Sequence, residues 1–280
     1  MATARSGELR DLAQRMADAL PALVQEVVLT GSVSRGVADD LSDIEMLVVA
    51  EDLPGRDGCE ACSRAVGLEE VDLWSRPESA DSHLVSGRLG GVAVELVWWS
   101  RARAEERVAA IAAGTILDDR ILTADALVHG IPLRTSGLLE RWQALLRPYP
   151  PGLAAALIEE AAEIWGGYQA SSFLTLTRSG ERLVLTERLV DTARRIVRIA
   201  FALNETWEPT LKRLAARTDS LAVKPSQMTE RIEAALLEPD PRRAVRGLAE
   251  LAGDAVALAP DGPYVRRART WLAELALLVR

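Results

Sequence analysis

VVLTGSVSRGVADDLSDIEMLVVA, residues 27–50, decides how the rest of the chain is read. It opens on a short apolar run, Val27-Val28-Leu29, that stops at Gly31-Ser32. A polar, turn-rich segment follows, and a second apolar run begins at Asp43-Ile44-Glu45. Side chains two apart on a strand share a face. If Ile44–Ala50 is a strand, Asp43 and Glu45 therefore point the same way at its start. Two carboxylates held side by side repel unless a cation lies between them. Oxygen ligands favour a hard cation such as Mg²⁺, which binds through one or two carboxylates and substrate phosphates. Gly31 permits a tight turn and close backbone approach. Ser32 brings a hydroxyl and an N–H to the start of a short helix, an arrangement that suits a phosphate. The grouping reads as a nucleoside triphosphate held by metal and backbone.

An apolar strand, Gly-Ser, a gap of about a dozen residues, Asp-x-Glu and a second apolar strand resemble the nucleotidyltransferase superfamily that includes DNA polymerase beta. The run Ser42-Asp43-Ile44-Glu45-Met46 is similar to that of the kanamycin-type antibiotic nucleotidyltransferases, in which the second carboxylate is also Glu. The resemblance implies metal ligands at Asp43 and Glu45. It also implies a third carboxylate on a later strand, which Glu95 in VAVELVWW (92–99) matches. Read from the residues alone, an acid between Val94 and Leu96 in a buried strand is costly unless paired or metal-bound. The other reading is an edge strand with Glu95 in water. Asp72 in EVDLW is a weaker competitor, read as a solvated strand residue.

The 280 residues allow one large domain or two modest ones, and the apolar share of 49% supports a substantial core. No apolar stretch reaches membrane-spanning length. The N-terminus is charged and amphipathic without a signal-peptide core, so a cytoplasmic location is expected. The net charge of −8 opposes broad nucleic-acid binding and favours a cationic acceptor. Lys212 and Lys224 are the only lysines, so arginine carries nearly all the positive charge. Cys59 and Cys62 form a C-x-x-C pair, but His83 and His129 lack ligand spacing. The pair reads as two thiols on a helix rather than a zinc site.

Periodicity and breakers predict a helix over 7–20, strands at 27–30 and 43/44–50, and a crossover helix over 57–66. Strands follow at 70–75, 81–89 and 92–99, then a helix over 101–113. Residues 116–133 are ambiguous. Helices are expected over 138–147, 153–177, 181–204, 207–217, 226–237, 241–258 and 264–279. The expected class is α+β: a small mixed-sheet domain over 1–133, then an all-helical domain over 134–280 that contributes to acceptor or nucleotide binding.

LIEEAAEIWGGYQASSF (157–173) places Glu159, Glu160 and Glu163 on adjoining faces of one helix, so a cation should lie nearby. It is similar to the kanamycin-type Glu-Glu-x-x-Glu helix, which implies Glu163 as general base; Glu95 is the alternative. The family's phosphate-binding lysine is replaced by Gly167. Lys212, in a segment (201–215) resembling helical-tailed relatives, and Arg35, just past Gly-Ser, are the candidate substitutes. Most of the tryptophans read as core; Trp165 and Tyr168 are candidates to stack on a base or sugar. The expected activity is Mg²⁺-dependent transfer of a nucleoside monophosphate, AMP from ATP, to a hydroxyl of a small, cationic, aminoglycoside-like molecule. Alternatives are nucleotidylation of a protein or tRNA, or nucleotide binding without catalysis. The resemblance also implies a homodimer.

Overall fold

In the computed structural model, which describes residues 2–74, 81–166, 177 and 181–279, the chain opens with α1 (Ala4–Ala19). Leu9, Ala13, Met16 and Ala17 recur at helical spacing and are all buried. Thr3 caps the helix by accepting from the Ser6 N–H. At the other end, the Arg134 guanidinium donates to the carbonyls of Ala17 and Leu20 at the helix terminus and of Pro21 and Val24 beyond it.

The quoted stretch folds as its spacing predicts. β1 (Val24–Leu29) runs into the single turn α2 (Gly31–Ser34), and β2 (Ile44–Ala50) returns antiparallel to β1. α3 (Arg56–Ala65) crosses over to β3 (Glu69–Trp74). The hairpin β4 (Ser82–Leu89) and β5 (Val92–Ser100) follows. Then come α4 (Arg101–Ala112), a 3₁₀ turn at Asp119–Ile121, α5 (Leu122–Val128), β6 (Ile131–Arg134) and α6 (Leu138–Leu146). The strand order is β3-β4-β5-β2-β1-β6. β2 and β5 are parallel and the other neighbours antiparallel, so the sheet is mixed.

One face of the sheet is the core. Val27 and Leu29, Ile44, Met46 and Val48, and Val94, Leu96 and Trp98 pack there with α1 and with Cys59 of α3. The other face is buried toward the C-terminal end of β2, at Leu47 and Val49. Toward its N-terminal end it opens at Glu45, Ala93 and Glu95.

The chain separates into two compact units, residues 1–113 with 123–148, and residues 114–122 with 149–280. Ile131–Arg134, placed by the sequence at the junction near 133, is instead the edge strand paired with β1. Pro132 fits there because an edge strand need not donate on its outer side.

The second unit is helical. α7 (Leu153–Gly166), α8 (Arg182–Leu203), α10 (Met228–Leu237), α11 (Pro241–Leu258) and α12 (Pro263–Leu278) surround a core of Ala, Leu and Val, with the five-residue α9 (Leu214–Thr218) beside α10. α7 packs on α8 and α12, and α11 on α8, α10 and α12. The expected helix over 207–217 shrinks to α9. Pro209 denies it a backbone donor, and the Asn204 amide side chain instead ties the end of α8 to Val223. The architecture is α+β, a mixed sheet with helices followed by a helical region. Among the described residues no helix is long and apolar enough to cross a membrane.

Candidate active site

β1 ends where Thr30 donates both its N–H and its hydroxyl to the Glu45 carbonyl, at 2.9 and 3.2 Å. The next residue, Gly31, has φ +69°, a conformation open to glycine and strained for other residues. A Cβ there would overlap the Glu45 carboxylate, so the Glu45 side chain lies over the glycine. Ser32 follows, half-buried. On the far side of the turn the Ser42 hydroxyl and the Leu41 N–H both donate to the Asp39 carboxylate, which fixes the entry of Asp43 into β2. Asp43 is half-buried directly before the strand.

β2 and β5 pair in parallel with Glu45 opposite Glu95. Residues opposite one another in a sheet share a face, on strands roughly 4.8 Å apart. Glu95 thus lies beside Glu45, and Asp43, two residues earlier, is on that face by alternation. The register extends outward through Ser86 on β4 to Asp72 on β3, so Asp72 belongs to the same lateral row. The edge-strand reading of Glu95 does not hold. β5 is an interior strand, yet Glu95 is exposed on the open face. Exposure to water spares its charge the cost of full burial.

Among the described residues no three acid, histidine or cysteine side chains gather closely enough to hold a metal. The expected convergence of Asp43, Glu45 and Glu95 is therefore not reached as these side chains stand. The Glu45 carboxylate lies over Gly31, just past the end of β1.

Arg35, just past the Gly-Ser turn, has partners on both sides of it. Its guanidinium pairs with the buried Asp125 carboxylate on α5 and donates to the Gly31 and Asp125 carbonyls. It ties the Gly-Ser turn to α5. His129, one turn on from Asp125, lies 2.9 Å from the Asp125 carbonyl. Glu26, unremarked in the sequence, is fully buried and accepts from the Ser136 N–H and hydroxyl and the Leu138 and Leu139 N–H groups, at 2.7–3.4 Å. Gly137 caps α6 without a side chain, and Glu26 supplies the missing acceptor. An acid inside the apolar strand VQEVVL was the available sign.

The remaining candidates lie in the second unit. The three acids of α7 separate in role. Glu159 accepts from the Tyr264 and Val265 N–H groups and so caps α12. Glu160 pairs with Arg195 and Arg198, the cations that the stacked acids implied. Glu163 is exposed. Lys212 is exposed in the loop before α9, and Lys224 donates to three carbonyls at the end of α9. Gly167 and Tyr168 lie outside the described residues. Trp165 is 1% exposed, which removes it as a platform for a base or sugar. An open cavity of about 740 Å³ is walled by Asp118, Asp119, Glu160 and Arg198 among others. Of its two arginines, Arg198 is engaged by Asp119, Glu160, Glu208 and the Leu117 carbonyl, and Arg120 by Asp118.

No family model and no curated protein sequence matches the chain. Among solved structures the fold is similar to a nucleotidyltransferase-like protein from Exiguobacterium sibiricum. The identity is 12%, the TM-score 0.41, and the match covers 98% of this chain and 90% of that one. So loose a superposition carries no argument about chemistry, which has to come from the residues themselves.

Proposed function

We propose that the chain is a nucleotidyltransferase that moves a nucleoside monophosphate, AMP from ATP, to a hydroxyl of a small cationic molecule. The observation that carries this reading is the parallel register of β2 and β5. It puts Glu45 and Glu95 side by side on an open sheet face, with Gly31-Ser32 at the adjoining strand end.

Glu45, Glu95 and Asp43 are the residues that would hold Mg²⁺. Their donor set is all oxygen, which a hard cation prefers, and one or two carboxylates suffice when water and phosphate complete the shell. The ion would neutralise phosphate charge. Gly31 lets a phosphate approach the backbone, and Ser32 donates to it from its hydroxyl and N–H. The acceptor oxygen attacks the α-phosphorus, the bond to the β-phosphate breaks, and pyrophosphate leaves. The acceptor's proton goes to a carboxylate, Glu163 by resemblance or Glu95 within the first unit. Lys212 is a phosphate contact by resemblance alone. Asp72 extends the acid row toward the sheet edge, where a cationic acceptor would be drawn.

The test is incubation with labelled nucleoside triphosphates, Mg²⁺ and a panel of aminated acceptors. Label transfer with pyrophosphate release is expected, lowered roughly 10²–10³-fold by Glu45→Gln or Glu95→Gln. No transfer and no pyrophosphate with any of the four nucleotides would defeat the reading.

A second reading is nucleotide binding without catalysis. The lack of a three-ligand metal cluster among the described residues and the engagement of Arg35 by Asp125 favour it. Calorimetry separates the two, because nucleotide affinity indifferent to Mg²⁺ belongs to the non-catalytic protein.

A further inference from the structure

The core of the helical unit contains a polar pair in an apolar shell. α8 buries Leu185, Leu189, Thr192 and Ile196 at helical spacing, and Thr192 is the one polar side chain among these four. Thr192 is 2% exposed and Trp165 on α7 is 1% exposed. Among the described residues neither the Thr192 hydroxyl nor the Trp165 indole N–H has a hydrogen-bond partner. Both residues line the same small void, together with Leu189, Val245, Leu248, Ala249, Leu272 and Leu275 from α8, α11 and α12.

A buried donor or hydroxyl without a partner is costly, and native cores very seldom leave one so. Two of them bordering one void are a different matter. The void measures about 10 Å³, at the lower end of the roughly 10–15 Å³ that a single water needs. An apolar void of this size stays dry, but one with a hydroxyl and an indole N–H on its wall offers a water both an acceptor and a donor.

We propose that this void is a binding site for one structural water. It accepts from the Trp165 indole N–H and exchanges a hydrogen bond with the Thr192 hydroxyl, joining α7 to α8 inside the bundle. The competing arrangement is dry, with the Thr192 hydroxyl turned back onto a carbonyl of its own helix.

The two arrangements differ in the sign of one substitution. Thr192→Val keeps the shape and removes the hydroxyl. With a water in place, the valine strips it of a partner, and the urea midpoint of the full chain falls, while Thr192→Ser retains the bridge and loses less. In a dry core the valine removes only a back-bond onto the helix that is slightly destabilising, and a midpoint that is unchanged or raised overturns the proposal. A high-resolution crystal structure of the full chain gives the second readout. Density for one water within hydrogen-bond distance of both atoms is expected, and an empty void overturns the proposal even if valine is destabilising.

Discussion

Glu26 carries more of the first unit than any acid of the candidate site. Four donors from the loop before α6 and from its first turn converge on one buried carboxylate. Replacing it with alanine would orphan those donors in a dry place. We expect Glu26→Ala to cost roughly 3 kcal/mol, read as a lowered denaturant midpoint. His83 behaves in the opposite sense. It is buried beside Trp98, and among the described residues its Nδ1 has no partner. Burial, helped by Arg56 on α3, pulls its pKa below the ordinary 6.5, while Asp81 pulls it up. Below about pH 6.5 the unfolded chain takes up a proton that the folded chain refuses. This part of the stability is therefore complete above that pH and is lost as pH falls toward the folded-state pKa. NMR titration of the imidazole should give a midpoint under 6.5; one at or above it would contradict the burial argument. Burial, then the neighbouring Cys62, raises the Cys59 pKa to about 12, and its Sγ donates to the Pro54 carbonyl. That thiol serves the core of α3, where the C-x-x-C spacing placed it.

At the scale of elements, most of the fold was legible because its helices and strands are bounded by residues with one mechanical meaning. Pro21 and Pro54-Gly55 mark the ends of α1 and β2, and Asp240-Pro241 begins α11 where the sequence put it, with the Asp240 carboxylate accepting from the N–H groups of Arg242 and Arg243. The Asp-x-Glu spacing and the strand alternation gave the shared face of Asp43 and Glu45. Pairing between strands was not legible, and neither was what each charged side chain would touch. Nothing local says that Asp72 lies in the row of Glu95, because that follows from the register of two hairpin strands. Nothing local says that Arg35 would be taken by Asp125, ninety residues away. Glu159 makes the same point. Gly262 offers α12 no cap, and a carboxylate from another helix provides one over a glycine that has no Cβ to obstruct it. Glu159→Gln should weaken the bundle by about 1 kcal/mol through the lost charge at the helix start. Thermal unfolding would detect it, and Gly262→Ala should do at least as much harm by displacing the same carboxylate.

For the whole molecule, the sequence foresaw a sheet-bearing part and a helical part, but not the path between them. The backbone passes from one compact unit to the other three times, after Ala113, after Leu122 and after Pro148. The nine residues 114–122 are lent to the helical unit, where the Leu117 carbonyl and the Asp119 carboxylate receive Arg198. No single scissile bond can therefore liberate both parts intact. A recombinant piece spanning 149–280 would leave Arg198 short of two of its acceptors. It should melt earlier than the same helices do in the uncut polypeptide, and recover some of the difference when a synthetic peptide of residues 114–122 is added. Gene fusions or split reporters built on this chain would have to respect that loan, since the obvious place to cut at Pro148 severs only the last of the three passages.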